Sequence, residues 1–341
     1  MRYRLLGGSG LRVSELAYGA MNFGTHAWGT PDADACAALY RAYRDAGGNF
    51  IDTANEIYAE GRSEQFLGQL IAGHRDEVVI GTKYGFHLPG SANSNIAGNH
   101  RKSLMRSVEG SLARLGTDFI DVLWVHGWDM LTPVDEMMRG LDDLVRQGKV
   151  QYIGISNAPA WLVAQANTMA ELRGWTRFAG LQVEYNLLER DVEHELLPMA
   201  RALGLGVLAW SPLASGLLSG KYNRDGGQEP RRLDVNTFVA AADARALQVA
   251  DAVTRMAREI GRPPTQVALN WLRAQAGVLP IIGARTLGQL QENLGCLEFS
   301  LTPGQVASLG EASMVRTPYP QSFIERTRFI SNGGFHDKID R

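Results

Sequence analysis

Four side chains with complementary acid and base chemistry stand in the first part of the chain: Asp52, Tyr58, Lys83 and His126. Asp52 closes a short apolar run, Phe50-Ile51, while Lys83 follows Val78-Val-Ile-Gly-Thr82 and His126 follows Phe119-Ile-Asp-Val-Leu-Trp-Val125. Tyr58 lies on the loop beyond Asp52. A free phenol has a pKa of about 10, so it donates protons well at neutral pH only if that value falls. A cation within about 4–6 Å favours the phenolate. Lys83 can supply the charge, Asp52 can hold Lys83 charged and aimed, and His126 can hydrogen-bond a substrate oxygen. The set is suited to protonating an oxygen while something else attacks its carbon. Taken singly, each residue has a plainer role: a helix cap or loop acceptor for Asp52, a paired or solvated charge for Lys83, packing for Tyr58, a hydrogen-bonded structural imidazole for His126.

The elements that must position these groups alternate along the chain. Tyr3-Arg-Leu-Leu and Leu11-Arg-Val, separated by Gly7-Gly-Ser-Gly10, predict a β-hairpin over residues 1–15. Leu16-Ala-Tyr-Gly19 predicts the first buried strand, and helical spacing over 34–46 ends in the capping signal Gly47-Gly48. Further strands are expected at 50–51, 78–82, 120–125, 150–155, 179–183, 206–210 and 278–282. Helices are expected at 63–72, 101–115, 134–147, 160–172, 192–203, 243–276 and 287–294. The strands are short and rich in Val, Ile and Leu, as when both faces are covered, and the helices supply the crossovers that parallel strands need. Eight strand–helix units fit a closed (β/α)8 TIM barrel better than an open doubly wound sheet, because no strand-to-helix turn carries Gly-x-Gly-x-x-Gly. Residues 1–341 read as one domain. Two stretches break the rhythm: a long loop at 213–240, after the seventh barrel strand, and a tail at 316–341, expected over the barrel mouth. In such a barrel, residues at strand ends converge at the carboxyl face.

Composition limits the partners. The 341 residues carry 34 basic and 36 acidic side chains for a net charge of −2, 45% are hydrophobic, and no basic block is present. Nothing points to a nucleic-acid or membrane surface. Two cysteines, Cys36 and Cys296, are far apart and lack metal-ligand spacing, which fits a reducing cytoplasm. The amino terminus lacks a signal-peptide core, and no run approaches bilayer length. The oligomeric state is not legible.

Several separated motifs together resemble the aldo-keto reductases, over about residues 3–315. They are Gly19-Ala-Met-Asn-Phe-Gly24, Asp52-Thr-Ala54 with Tyr58 and Gly61-Arg-Ser-Glu64, Thr82-Lys83, and Val125-His126. Further on come Gly148-Lys-Val-Gln-Tyr-Ile-Gly-Ile-Ser-Asn157, Leu181-Gln-Val-Glu-Tyr-Asn186, Trp210-Ser-Pro-Leu213, Ser215-Gly-Leu-Leu-Ser-Gly-Lys221, Gly283-Ala-Arg-Thr286 and Glu292-Asn293. The resemblance implies a barrel that binds NADP(H) and places Asp52, Tyr58, Lys83 and His126 on the family's catalytic tetrad. One departure stands out. The family usually places the tyrosine five positions after the aspartate, where this chain has Ile57, and Tyr58 follows one later, as expected for a one-residue insertion.

The resemblance also implies a cofactor site. Ser156, Asn157 and Gln182 would hydrogen-bond the nicotinamide carboxamide, and Trp210 would stack on the ring. Met21, Asn22 and Asp52 fall on motifs beside it. The segment from Ser211, Pro212 and Leu213 through Ser215, Gly216 and Leu218 to Lys221 resembles the loop that folds over the pyrophosphate, with Gly216 permitting close approach. Gly283, Arg285 and Gln289 lie at the start of the last barrel helix, where orphan amides favour phosphate. The arginine fork suits an adenosine 2′-phosphate, and Glu292 and Asn293 match adenine contacts. The expected reaction is reversible carbonyl reduction on a small molecule, with no metal. Trp28, Phe86 and Trp128, beside Tyr58 and His126, point to an apolar, aromatic or bulky-ring carbonyl. The tail aromatics Tyr319, Phe323, Phe329 and Phe335 either join them or pack across the barrel surface. The alternatives are a Schiff-base lyase using Lys83 and a cofactor-binding regulatory subunit with little turnover.

Overall fold

A computed structural model describes residues 1–25, 29–30, 32–221 and 243–339. Its centre is a closed barrel of eight parallel strands, preceded by an antiparallel hairpin. The hairpin pairs β1 (Tyr3–Leu5) with β2 (Arg12–Ser14). The barrel strands are β3 (Ala17–Gly19), β4 (Phe50–Asp52), β5 (Val79–Tyr84), β6 (Ile120–Val125), β7 (Val150–Ser156), β8 (Phe178–Glu184), β9 (Gly206–Trp210) and β10 (Val278–Ile282). They run round the barrel in chain order, and β10 closes it by pairing with both β9 and β3. Crossover helices are α1 (Ala33–Asp45), α2 (Arg62–Ile71), α3 (Arg101–Leu115), α4 (Val134–Arg146), α5 (Ala160–Arg173), α6 (Leu196–Leu203), α7 (Ala244–Ile260), α8 (Pro264–Arg273) and α9 (Leu287–Leu294).

Residues at period two along each strand divide between two environments. Leu123 and Val125 join the layer between strands and helices, whereas Val122 and Trp124 join an interior cluster with Phe50, Val79, Leu208, Leu279 and Ile281. Leu6 and Val13 of the hairpin belong to the same cluster, so the hairpin plugs the amino-terminal end. The plug seats closely: a side chain on Gly7 would lie 2.4–2.6 Å from the backbone of Gly204, Gly206 and Ala179.

The largest side chain in the middle of the barrel is Trp124. Trp124 is fully buried, and a Cβ added to Gly81, Gly154 or Gly180 on the neighbouring strands would lie 2.8, 2.3 or 2.7 Å from its ring. Each carboxyl-end residue of interest stands two positions beyond this middle layer and therefore on the same face: Asp52 after Phe50, Lys83 after Gly81, His126 after Trp124, Ser156 after Gly154, Gln182 after Gly180 and Trp210 after Leu208.

Two expected helices change. The span 243–276 breaks into α7 and α8 at Gly261, which caps α7 at φ 67° and is followed by Pro263 and Pro264. The span 192–203 begins later, at Leu196, after a separate 3-10 turn at Asp191–Glu193. Two helices were not anticipated, α10 (Pro303–Ala312) and α11 (Gln321–Ser331). The first had a legible start, with Thr302 and Gln305 forming a capping box around Pro303. The tail carries α11, tied near its start by Gln321 to Glu195 at 2.9 Å. Tyr319, Phe323, Phe329 and Phe335 are 50–81% exposed, against the alternative that they pack across the barrel surface. From residue 222 onward the long loop at 213–240 lies outside the described residues, as does Trp28. Among the described residues no helix is long and apolar enough to cross a membrane.

The tight fit around Trp124 predicts that Gly154→Ala destabilises the chain by about 1–3 kcal/mol through overpacking, read as a lower urea midpoint. An unchanged midpoint would mean that Trp124 has room to move.

Candidate active site

The Lys83 ammonium lies inside the barrel, 1% exposed, and donates to Asp52 Oδ2 at 2.5 Å and to the Thr53 carbonyl at 2.7 Å. Gln182, from the other side of the barrel, donates to Asp52 Oδ1 at 2.8 Å. Both carboxylate oxygens are thus satisfied, the condition under which a buried charge pair is tolerated. Burial disfavours the Lys83 charge, but Asp52, with Tyr58 beside it, outweighs this and holds the pKa above the ordinary lysine value. Lys83 also hydrogen-bonds Tyr58, whose ring centroid lies 5.2 Å from Nζ. Tyr58, not Ile57, therefore faces the cation, so the loop absorbs its additional residue before the phenol.

His126 completes the group. Its ring meets Tyr58 edge to face at 5.9 Å and stacks on Phe86 at 4.4 Å with a 23° interplanar angle. Burial, reinforced by the Lys83 charge, pushes the imidazole pKa well below 6.5, so the ring is neutral at physiological pH. Its Nδ1 is buried without a hydrogen-bond partner. Placing the proton on Nε2 leaves only an acceptor unsatisfied and gives the ring one donor to offer.

Asn55 joins these pieces and was missed in the sequence, where it reads as a loop residue. It is buried, its N–H donates to the Lys83 carbonyl at 3.2 Å and its carbonyl accepts from the Tyr58 N–H at 3.1 Å. Its side-chain amide donates to the Phe86 carbonyl at 3.2 Å and to Ser107 Oγ at 3.0 Å. One asparagine thus links the Tyr58 loop, β5 and the Phe86 loop. The only signal was its place between Ala54 and Tyr58.

The expected cofactor residues line the same end of the barrel. Ser156 is buried with an unpartnered hydroxyl, and so is Ser215. Asn157 adopts φ 50°, donates to the His126 carbonyl at 2.8 Å and accepts from Trp210 Nε1 at 3.2 Å, so Trp210 is oriented from its edge. Ser211 has positive φ, as do Ala214, Ser215 and Gly216 at the start of a tight 3-10 run, Ala214–Ser219. Such a turn aims successive amides in one direction, as in anion-binding nests. The Leu218 side chain is buried in the core, so that position can offer a ligand only its backbone. Pro212 is buried, Leu213 and Met21 are partly buried, and Lys221 is exposed.

Around α9 the amides are more committed than expected. Gln289 accepts from the Arg285 N–H at 2.9 Å, Asn293 donates to the Gly283 carbonyl at 3.1 Å, and Asn22 donates to the Ala284 carbonyl at 3.3 Å. Asn293 is buried in doing so, whereas the Glu292 side chain is exposed. These contacts build the turn. The Arg285 guanidinium has no hydrogen bond or ion pair among the described residues and lies beside the α9 amino terminus, capped by Thr286.

The profile of the Aldo/keto reductase family matches residues 15–313. The chain belongs to that family. It is an oxidoreductase. Similar proteins include a norsolorinic acid reductase of Emericella nidulans, 38% identical over 326 residues that cover 93% of this chain and 82% of the relative. An aldo-keto reductase of Aspergillus calidoustus is 37% identical over 341 residues, 95% of this chain and 85% of its own. An aryl-alcohol dehydrogenase [NADP(+)] of Phanerodontia chrysosporium is 35% identical over 345 residues, 94% and 88% of the two chains.

The neutral, buried His126 of this reductase has a consequence for stability. The unfolded chain takes up a proton there below about pH 6.5 and the folded chain does not, so stability falls as pH drops through that value. Urea unfolding from pH 7 to 5 is expected to lose up to about 1.4 kcal/mol per pH unit at this site, and His126→Asn is expected to remove that component of the slope.

Proposed function

We infer that this reductase converts an aldehyde or ketone to an alcohol with NADPH, Tyr58 acting as general acid. The observation that carries this is the Lys83 ammonium, buried against Asp52 and hydrogen-bonded to the Tyr58 phenol. It places positive charge where a phenolate forms when the proton leaves. His126, neutral and with one donor available, orients the carbonyl oxygen. Gln182 holds the far oxygen of Asp52, so the carboxylate cannot swing away from Lys83. The stacked Phe86 ring covers His126 and excludes water from it.

The residues present fit a dinucleotide. The orphaned hydroxyls of Ser156 and Ser215, the successive positive-φ amides of Ala214, Ser215 and Gly216, and the Arg285 guanidinium, unpaired among the described residues, are donors in want of acceptors. Ser156, Asn157 and Gln182 would hold the carboxamide, Trp210 the ring face, residues 211–218 the pyrophosphate, and Arg285 the 2′-phosphate. When bound, the reduced nicotinamide supplies hydride. Reduction and oxidation use the same side chains, so direction follows cofactor ratio and pH.

For the substrate, Phe86 stacks on His126, while Trp128, two residues beyond His126, donates its backbone N–H to the Asn157 carbonyl at 3.5 Å and meets Trp161 edge to face at 5.4 Å. Such a wall favours an apolar, aromatic or bulky-ring carbonyl, in keeping with the aryl-alcohol and norsolorinic acid named for relatives. A Schiff-base role for Lys83 is disfavoured, because the amine must lose its proton and Asp52 stabilises the charge.

Purified enzyme titrated by fluorescence is expected to bind NADPH more tightly than NADH, and NADPH oxidation with aromatic aldehydes or ketones to vanish in Tyr58→Phe while cofactor binding persists. Full activity in that variant removes Tyr58 as the acid, and failure to bind NADPH removes the cofactor assignment. Arg285→Ala is expected to weaken NADPH binding about tenfold or more, the loss of a charged hydrogen bond, and to leave NADH binding near its original value.

A further inference from the structure

Behind the tetrad lies a second charged cluster that has no part in the chemistry above. Glu56, two residues before Tyr58, accepts from Arg114 at 3.1 Å and from Arg106 at 3.2 Å, both arginines projecting from α3. Arg114 also donates through Nε to Glu64 Oε2 at 2.7 Å, and Glu64, on α2, is fully buried. The other Glu64 oxygen accepts from Thr82 Oγ1 at 2.6 Å, and Thr82 immediately precedes Lys83 on β5. A continuous chain of charge-assisted bonds thus runs from the Tyr58 loop through Arg114 to the strand that carries Lys83.

The backbone is shaped around Arg114. A Cβ on Gly61, at φ 88°, would lie 2.7 Å from Arg114 Cδ, and one on Gly110 would lie 2.9 Å from Arg114 Nη1. Between Tyr58 and Gly61, Ala59 and Glu60 both hold positive φ, 51° and 58°, an unfavourable pair for non-glycine residues that must be fixed from outside. Tyr58 therefore sits between a backbone-strained turn on one side and an anchored glutamate on the other.

We propose that Arg114 and Glu56 form a positioning clamp that sets the Tyr58 phenol against the Lys83 ammonium. The clamp touches neither substrate nor cofactor and acts through the loop. It rests on Tyr58 being the proton donor, and the test separates the two. Arg114→Met would strand Glu64 without its charge partner and can unfold the chain, so Glu56→Gln, nearly isosteric and on the half-buried loop, is the chosen variant. Steady-state kinetics on an aromatic aldehyde, NADPH fluorescence titration and the pH profile of kcat are compared for wild type, Glu56→Gln and Tyr58→Phe.

The expected result for Glu56→Gln is a kcat lower by about tenfold, the scale of a sub-ångström misplacement. KM and NADPH affinity should stay within about twofold, since binding energy is retained, and the alkaline limb of the profile should move. A wild-type kcat and an unmoved limb overturn the clamp, as does a loss of NADPH affinity equal to the loss of kcat, which marks general loosening. If Tyr58→Phe remains active, the acid assignment falls instead. Should Glu56→Gln lose its fold, Arg106→Gln, which gives up the half-exposed arm of the same clamp, takes its place under the same criteria.

Discussion

A lysine ammonium held out of water against one carboxylate is the constraint to which the rest of this molecule answers. Removing either partner from such a pair costs about 3–5 kcal/mol, because the other charge is left uncompensated. The barrel supplies what the pair requires: Asp52 and Lys83 on adjacent strands, a carbonyl at Thr53 for a second ammonium hydrogen, and Gln182 from across the barrel for the second carboxylate oxygen. Closure matters here. Only a closed sheet brings β8 opposite β4, so that a donor 130 positions away in sequence completes the shell.

With the pair satisfied, the neighbouring groups inherit their states from it. His126 stays neutral partly because a positive charge is already present nearby, and Tyr58 faces a cation that cannot leave. The neutral imidazole and the cation facing the phenol are therefore two outcomes of one buried charge. Aromatic packing finishes the arrangement, with Phe86 flat on the imidazole and Gly127 bare beneath it, since a Cβ there would lie 2.6 Å from the Phe86 ring.

Much of this was legible in the sequence, and the reasons are physical. Barrel strands are short apolar runs covered on both faces, so their bounds at 120–125, 206–210 and 278–282 agree with the structure. The convergence of Asp52, Lys83 and His126 was legible because each ends or follows such a run, with Tyr58 on the loop just beyond Asp52. Asn55, Glu56 and Arg114 were not, because their roles depend on which loops meet in space, and an asparagine or a surface-type charge carries no periodic signal. The amides of Gln289 and Asn293 were expected to face a ligand but bond the adjoining turn, a choice made by loop geometry rather than residue type. The helices at 303–312 and 321–331 escaped notice because both lie outside the repeating strand–helix units, and the first carries Gly304 and Gly310.

The indole beneath the site has a further meaning. Barrels are commonly filled by layers to which alternate strands each contribute a side chain, so that changes in one strand are shared among several neighbours. Here the Trp124 ring, with Phe50 and Leu208 beside it, occupies the middle level, and three strands contribute nothing beyond hydrogen at that height. The floor of the active site therefore rests largely on one ring. A side chain at Gly81, Gly154 or Gly180 presses on Trp124, and a smaller residue at 124 leaves a void beside the glycines. Positions 81, 124, 154 and 180, spread along the chain, are thus coupled through one ring, so that substitutions there do not add independently.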